Sequence, residues 1–342
     1  MEKLRAAIVG LGRIASLLED DALREKPCTH AGALSADEDF ILVAGADTDE
    51  ERRRIFSERW GRDGPLPVYA AAGAMLEAHR PDVLVVATHP GSHEQYCAMA
   101  AAYRVPLVIC EKPLADSLRA ARRIAALERK GGPKIIVNHE RRYSLDYIRA
   151  KPLVDGGRFG RLLSVSARLY MGRIHRLLDV LWHDGTHLAD AVMYLSGMTL
   201  KHRKIWGAPL SAARGTAWLS GLLVQEAAGK AAARPVPFVM ELGAERDHLA
   251  FETSFSFERG RLRIGNGIFE IWESGPSPYA EKFRSLKKTE EGFTGKTGYF
   301  ANMVKDAAAA LRNPAHRPLS SAGDGLKVIE YLASAGRWRR TP

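Results

Sequence analysis

The 342-residue sequence contains no run of about 18 consecutive apolar residues, so nothing in it is long enough to cross a bilayer as a helix. Cysteine is scarce as well. Three residues, Cys28, Cys97 and Cys110, form an odd and widely spaced set that excludes a disulfide framework and suits a reducing compartment. Cys110, inside PLVIC, reads as a small buried hydrophobe, while Cys28 lies in an expected loop and Cys97 on an expected helix. None is assigned a catalytic role, because a reactive thiol needs an activating environment. The opening MEKLRAAIVG passes directly into a short strand pattern and lacks the longer apolar segment and small-residue cleavage site of a secretory signal. The expected location is cytoplasmic, with no membrane partner.

Bare runs of a single charge are almost missing too. The net charge is +10, but the arginines fall among glutamates in DEERRRIFSERWG and LRAARRIAALERKGG, the pattern of solvated helix faces. Only the terminal GRWRRTP is uniformly basic, and it reads as a frayed tail. No nucleic-acid partner is expected. The net positive field favours small anionic molecules, nucleotide-linked ones among them.

What the chain does have is length and alternation. Single cores stop growing near roughly 250–300 residues, so two domains are expected. In the first third, short β-branched runs (AAIVG, FILVAGAD, DVLVVAT, PLVICEK, KIIVNH) alternate with helical segments at 48–60, 72–79, 92–103 and 116–130. That alternation predicts βαβ units around a doubly wound parallel sheet. Beyond residue 160 the period changes. RLLSVSARLY alternates as a strand, 179–196 has helical spacing, and 249–273 reads as three strands joined at Arg259-Gly260 and Gly265-Asn266-Gly267, an antiparallel meander. Closing helices are expected at 297–312 and 321–336, and the Ala-rich stretch at 227–237 is a loop candidate. The second domain is expected to be α+β, with one sheet face covered by helices and the other free.

In AAIVGLGRIA, directly after the first expected strand, Gly10, Gly12 and Ala15 have the spacing of the dinucleotide fingerprint. Glycines are needed there for a tight turn and for close approach of the backbone to a diphosphate. Arg13 and Ile14 belong to the same candidate site. Asp47, ending the second strand, lies 35 positions beyond Gly12, where about 20 is usual, so residues 16–30 read as an insertion. Asp47 would bind an adenosine ribose and favour NAD; Arg52, Arg53 and Arg54 keep NADP possible, and a simple helix N-cap is the competing role. ATHPGSHEQ and CEKPLADS, at strand carboxyl ends, add Thr88, His89, His93, Glu111 and Lys112 as cofactor candidates.

In VLWHDGTHLAD, residues 180–190, two histidines and two aspartates are crowded into an apolar run. His183 and His187 at i,i+4 share a helix face and admit three readings: a zinc pair lacking a third ligand, a buried structural pair, or proton transfer. Metal binding is not the expected outcome. Removal of hydride from a carbinol carbon requires the hydroxyl to lose its proton, and an imidazole titrates in the useful range.

Taken together, GLGRIA, HAGAL, VAGADTDEER, ATHPGSH, EKPLA, VNHERR, HDGTHLAD and GDGLKVIEYLASAG resemble the Gfo/Idh/MocA family of oxidoreductases over nearly the whole length. The resemblance implies an N-terminal Rossmann doubly wound parallel sheet over residues 1–125, followed by an α+β domain over 126–342 with a large, mostly antiparallel open sheet through which copies associate as a homo-oligomer, a dimer or tetramer. It implies NAD(P)-dependent hydride transfer at a secondary alcohol or ketone of a sugar-like substrate. Lys112 would polarise the substrate oxygen and His187 would be the acid–base group. His183 occupies a position where the family has an aspartate, and would orient His187 or touch another hydroxyl. Asn138 would lie near the nicotinamide. Arg142, Tyr143, Arg168, Tyr170, His175 and Asp184 are the candidate substrate contacts. The departure at His183 leaves two rival readings: a nucleotide- or sugar-binding relative without turnover, and a zinc-assisted lyase or hydrolase.

Overall fold

Runs of leucine, valine and isoleucine build the first sheet. The computed structural model describes residues 2–61, 64–172, 176–225, 234–292 and 295–337. β1 (Leu4–Val9), β2 (Phe40–Ala46), β3 (Val68–Tyr69), β4 (Val83–Val86), β5 (Leu107–Cys110) and β6 (Lys134–Val137) lie in the order β3-β2-β1-β4-β5-β6, and every pair is parallel. All four residues of β4 and of β5 are buried, the signature of strands covered on both faces. The covering helices are α1 (His30–Ala36), α2 (Glu50–Trp60), α3 (Ala72–His79), α4 (His93–Ala102) and α5 (Leu118–Arg129). Asp49 starts α2 by accepting from Arg52 N–H, and Ser117 starts α5 by accepting from Ala120 N–H.

The second group of elements is α6 (Leu145–Asp155), β7 (Leu162–Met171), α7 (Leu177–His183), α8 (Gly185–Ser196), β8 (Thr199–Gly207), β9 (Thr216–Val224), β10 (Val236–Gly243), β11 (Leu249–Phe257), β12 (Gly260–Gly265), β13 (Ile268–Pro276) and β14 (Arg284–Glu291), followed by α9 (Tyr299–Arg312) and α10 (Ala322–Arg337). The eight strands form one sheet, β14-β13-β12-β11-β7-β10-β9-β8. Every pairing is antiparallel except β7 with β10. Alternation sorts the two faces. Val165, Ala167, Leu169, Leu219, Met240, Leu242 and Phe255 are buried, and α8 runs across β7, β8 and β11. The intervening positions carry Arg168, Glu241, Glu252 and Arg263.

Contacts divide the chain into two compact units, residues 1–144 with 296–329, and residues 145–295 with 330–342. β6 and the turn after it thus group with the first sheet, as does α9, whose Phe300, Met303, Val304 and Ala307 share a core with Ile8, Leu34 and Phe40.

The expected antiparallel meander is present as β11 to β13 and extends to β14. The helix expected at 179–196 is two helices, broken at Asp184. Val236 and Pro237, expected in a loop, begin β10, and residues 227–233 lie outside the described residues. β3, β8, β9, β10, β14 and α6 were not expected. Among the described residues no helix is long and apolar enough to cross a membrane.

Tyr331 on α10 is buried in the second unit near His202 and Phe238, and its hydroxyl has no hydrogen-bond partner among the described residues. Burying an unpaired hydroxyl is unfavourable. Tyr331→Phe should therefore leave stability unchanged or raise it by about 1 kcal/mol in a urea melt; a loss of that size would reveal a partner for the hydroxyl.

Candidate active site

Parallel pairing brings the strand carboxyl ends to one edge of the first sheet, and the residue just past each end is locked to its neighbour. Gly10 N–H donates to Ala46 O at 2.8 Å, Ala87 N–H to Val9 O at 2.9 Å, Glu111 N–H to Val86 O at 2.9 Å, and Asn138 N–H to Cys110 O at 2.8 Å. Gly10 has φ +84°, and a Cβ there would stand 2.7 Å from Ala87 O. Only glycine fits. At Gly12 the nearest atom to such a Cβ is Arg52 Nη1, at 3.9 Å, so its backbone is open on that side. These are the two properties a dinucleotide turn requires: a tight bend, then bare backbone for a diphosphate.

Asp47 is fixed beside that turn. One carboxylate oxygen accepts Leu11 N–H at 2.7 Å and the other accepts Asp49 N–H at 2.9 Å, while Arg52 Nη1 stands 3.8 Å away. The helix N-cap of α2 is Asp49, so the capping role considered for Asp47 belongs to its neighbour. The extra residues between Gly12 and Asp47 form a loop whose hub is Glu19, which accepts Cys28 N–H at 3.2 Å and the Thr29 hydroxyl at 2.6 Å. Thr29 in turn caps α1 through Gly32 N–H. His30 and Ala31 then donate their N–H groups to Ile14 O and Ala15 O, so α1 resumes directly against the glycine turn. Arg13 is exposed and Ile14 half-buried.

On the next two strand ends, Thr88 is half-buried and accepts the Ser92 hydroxyl at 2.8 Å, and His89 is exposed. His93 corrects the expectation made for it. Its ring is fully buried, with Nε2 at 3.0 Å from Thr88 O and Nδ1 at 3.3 Å from Leu114 O. Burial pushes its pKa down against the raising effect of those carbonyls, and the side chain ties the loop after β4 to the loop after β5 instead of facing a ligand.

Glu111 is also buried. One oxygen meets His30 Nε2 at 2.7 Å and accepts the Asn138 amide at 2.5 Å; the other accepts Lys112 N–H at 3.2 Å. Burial raises its pKa, but the hydrogen bond and charge of His30, the Asn138 amide and the Lys112 charge together bring it below the ordinary glutamate value. A carboxylate with both oxygens satisfied thus precedes half-buried Lys112 and holds its main-chain N–H. The sequence offered no signal for the His30 contact beyond a histidine opening the helix after the insertion.

Arg142 and Tyr143 require a second correction. Arg142 is buried, bonds Leu319 O at 2.7 Å and pairs with Asp324 at 3.2 Å. The Tyr143 hydroxyl donates to Asp306 at 2.8 Å, and burial followed by that carboxylate drives its pKa well upward. Both side chains bind the segment 296–329 to the end of β6, which consumes the groups expected to hold substrate.

In the second unit the break at Asp184 separates the histidines: His183 ends α7 and His187 lies in the first turn of α8. His183 is exposed, with Nδ1 2.9 Å from the Asp184 carboxylate; His187 and Asp190 are buried. The zinc reading needed both imidazoles on one helix face and a third ligand, and among the described residues no such group of three forms. Arg168 pairs with Glu241 and Glu252, and the Tyr170 hydroxyl donates to Glu241 at 2.6 Å. Both lie on the sheet face opposite Leu169, which packs toward Gly185 of α8; strand alternation therefore separates them from His187. His175 lies outside the described residues.

The first unit has the doubly wound parallel sheet of a Rossmann fold. Its residues 4–139 match the model of an oxidoreductase family with an NAD-binding Rossmann fold, GFO_IDH_MocA. It is 28% identical over 204 residues to inositol 2-dehydrogenase 2 of Saccharopolyspora erythraea, covering 58% of this chain and 55% of that one. It is 27% identical over 205 residues to D-glucoside 3-dehydrogenase of Escherichia coli, covering 57% and 54%. The chain thus spans about half the length of these curated relatives. Aldose-aldose oxidoreductase from Caulobacter crescentus, complexed with glycerol, shares the fold at a TM-score of 0.76, with 99% of each chain covered and 19% identity.

Gly10→Ala should lower the melting temperature and abolish NAD binding, because the added methyl meets Ala87 O in a backbone conformation that disfavours it. Gly12→Ala should melt as the wild type yet weaken NAD at least tenfold in a fluorescence titration. Equal NAD affinity in Gly12→Ala and wild type would remove the diphosphate from this turn.

Proposed function

We propose that the protein is a cytoplasmic NAD(P)-dependent oxidoreductase that moves a hydride between nicotinamide and a secondary alcohol or ketone of a sugar, polyol or sugar derivative. The observation that carries this reading is the single sheet edge on which an open glycine turn and an anchored Asp47 share a row with Lys112 and Asn138. The names of the relatives, inositol 2-dehydrogenase and D-glucoside 3-dehydrogenase, favour a ring CH–OH as the reacting group.

When bound, the nicotinamide accepts or supplies the hydride. Gly10 and Gly12 admit the diphosphate to the backbone, and Asp47 accepts from the adenosine ribose and repels a 2′-phosphate, so NAD is preferred. Thr88, His89 and Asn138 border the nicotinamide end. The Lys112 ammonium stabilises negative charge on the substrate oxygen, and His187 takes or returns the hydroxyl proton. His183, its Nδ1 2.9 Å from the Asp184 carboxylate, orients His187 or contacts a second substrate hydroxyl. Two copies associate through the open face of the eight-stranded sheet.

The purified protein, given NAD or NADP with a panel of inositols, aldoses and glucosides, should generate the absorbance of reduced nicotinamide. Lys112→Ala should lower kcat by about 10²-fold or more. Cofactor binding without turnover on the whole panel, or full activity in Lys112→Ala, would defeat the proposal. Asp47→Ser should move the kcat/KM ratio toward NADP by about tenfold, or about 1.4 kcal/mol, since Arg52 would then keep only Asp49 of its two neighbouring carboxylates.

A further inference from the structure

We infer that His30 is a positioning residue for Lys112, acting through Glu111; this rests on the reading of Lys112 as the ammonium at the substrate oxygen. His30 is 1% exposed and far from Glu111 in sequence, and the loop over residues 16–29 has the local bonds that bring it there. Glu19 gathers Cys28 and Thr29, Thr29 caps α1, and the first residue of α1 is His30 itself. Its ring stands edge-on to Phe300, with centroids 5.1 Å apart at 90°, which leaves Nε2 directed at the Glu111 carboxylate, 2.7 Å away. The other ring nitrogen, Nδ1, has no hydrogen-bond partner among the described residues, so Nε2 must carry the proton it gives to Glu111.

That bond favours the charged form of the carboxylate next to Lys112. Burial raises the pKa of Glu111, and the His30 hydrogen bond is the largest of the effects that lower it. A neutral Glu111 would carry a proton on one of the two oxygens that now accept from Asn138 and from Lys112 N–H. It would also withdraw the negative charge beside the ammonium. Buried polar groups of this kind act as a unit, and an incomplete set is worse than none. The loss of the His30 imidazole therefore reaches Lys112, while the main-chain bond from His30 N–H to Ile14 O beside the glycine turn needs no side chain.

The test compares His30→Ala, His30→Phe and His30→Gln in the full chain, with NAD and whichever panel substrate turns over fastest. Phenylalanine keeps the packing on Phe300 without a donor; glutamine keeps an N–H. His30→Phe should lower kcat at least tenfold, leave the NAD dissociation constant within threefold, and change the rate of Lys112 modification by trinitrobenzenesulfonate, followed by mass spectrometry, at least threefold. His30→Gln should recover most of the kcat. A folded His30→Phe with kcat within twofold of wild type and unaltered Lys112 reactivity would overturn the inference. If His30→Ala and His30→Phe both fail to fold, Glu111→Gln takes their place: the same loss of kcat and shifted Lys112 reactivity are expected, and wild-type values for both would refute the inference. A fully active Lys112→Ala sinks the reading underneath, whereas an inactive Lys112→Ala beside an active His30→Phe sinks only this one.

Discussion

Four main-chain hydrogen bonds, one at each of Gly10, Ala87, Glu111 and Asn138, tie the residues past the ends of β1, β4, β5 and β6 to the neighbouring strand. Parallel strands can be joined only by crossovers, so their carboxyl ends fall on a common edge. These bonds extend the sheet one residue beyond its last regular pair and hold that edge in register. Ala87, fixed opposite Gly10, leaves no room for a side chain there, and Glu111 accepts from Asn138 where both strands stop at the same level. The row at this edge is thus a property of sheet pairing before it is a property of any side chain.

Much of this was legible because the signals were local. Unbroken apolar runs announce strands covered on both faces, and β1, β2, β4, β5 and β6 were found that way. Gly10, Gly12 and Lys112 were legible from their places after such strands. What escaped depended on distance. His30 meets Glu111 across a long stretch of chain, and nothing in either segment names the other. β3 is two residues long and has no periodicity to read. In β8 and β14, at the edges of the second sheet, lysines and arginines obscure the alternation that betrayed β11 to β13. Arg142 and Tyr143 show the reverse error: their polar ends suggested ligand contacts, but they are spent on Asp324 and Asp306 inside the first unit.

The second unit shows how one break redirects chemistry. With a continuous helix, His183 and His187 would share a face. The interruption at Asp184 leaves His187 buried in α8 and His183 exposed, with Asp184 as its partner. On the other face of the sheet, Arg168 and Arg263 are interleaved with Glu241, Glu252 and Glu270 across neighbouring strands. Such cross-strand pairs of opposite charge support the sheet and keep a broad open face from being uniformly apolar.

The first unit closes only when residues 296–329 come back to it, with Phe300, Met303 and Val304 entering a core begun by Ile8. During synthesis the ribosome must therefore complete the whole of the eight-stranded sheet before the earlier sheet receives its last helix. Until then the nascent nucleotide fold exposes an oily flank, and Arg142 and Tyr143 wait without their acidic partners. A chain interrupted after residue 144 would hold every strand of that sheet and still lack the lid that seals it.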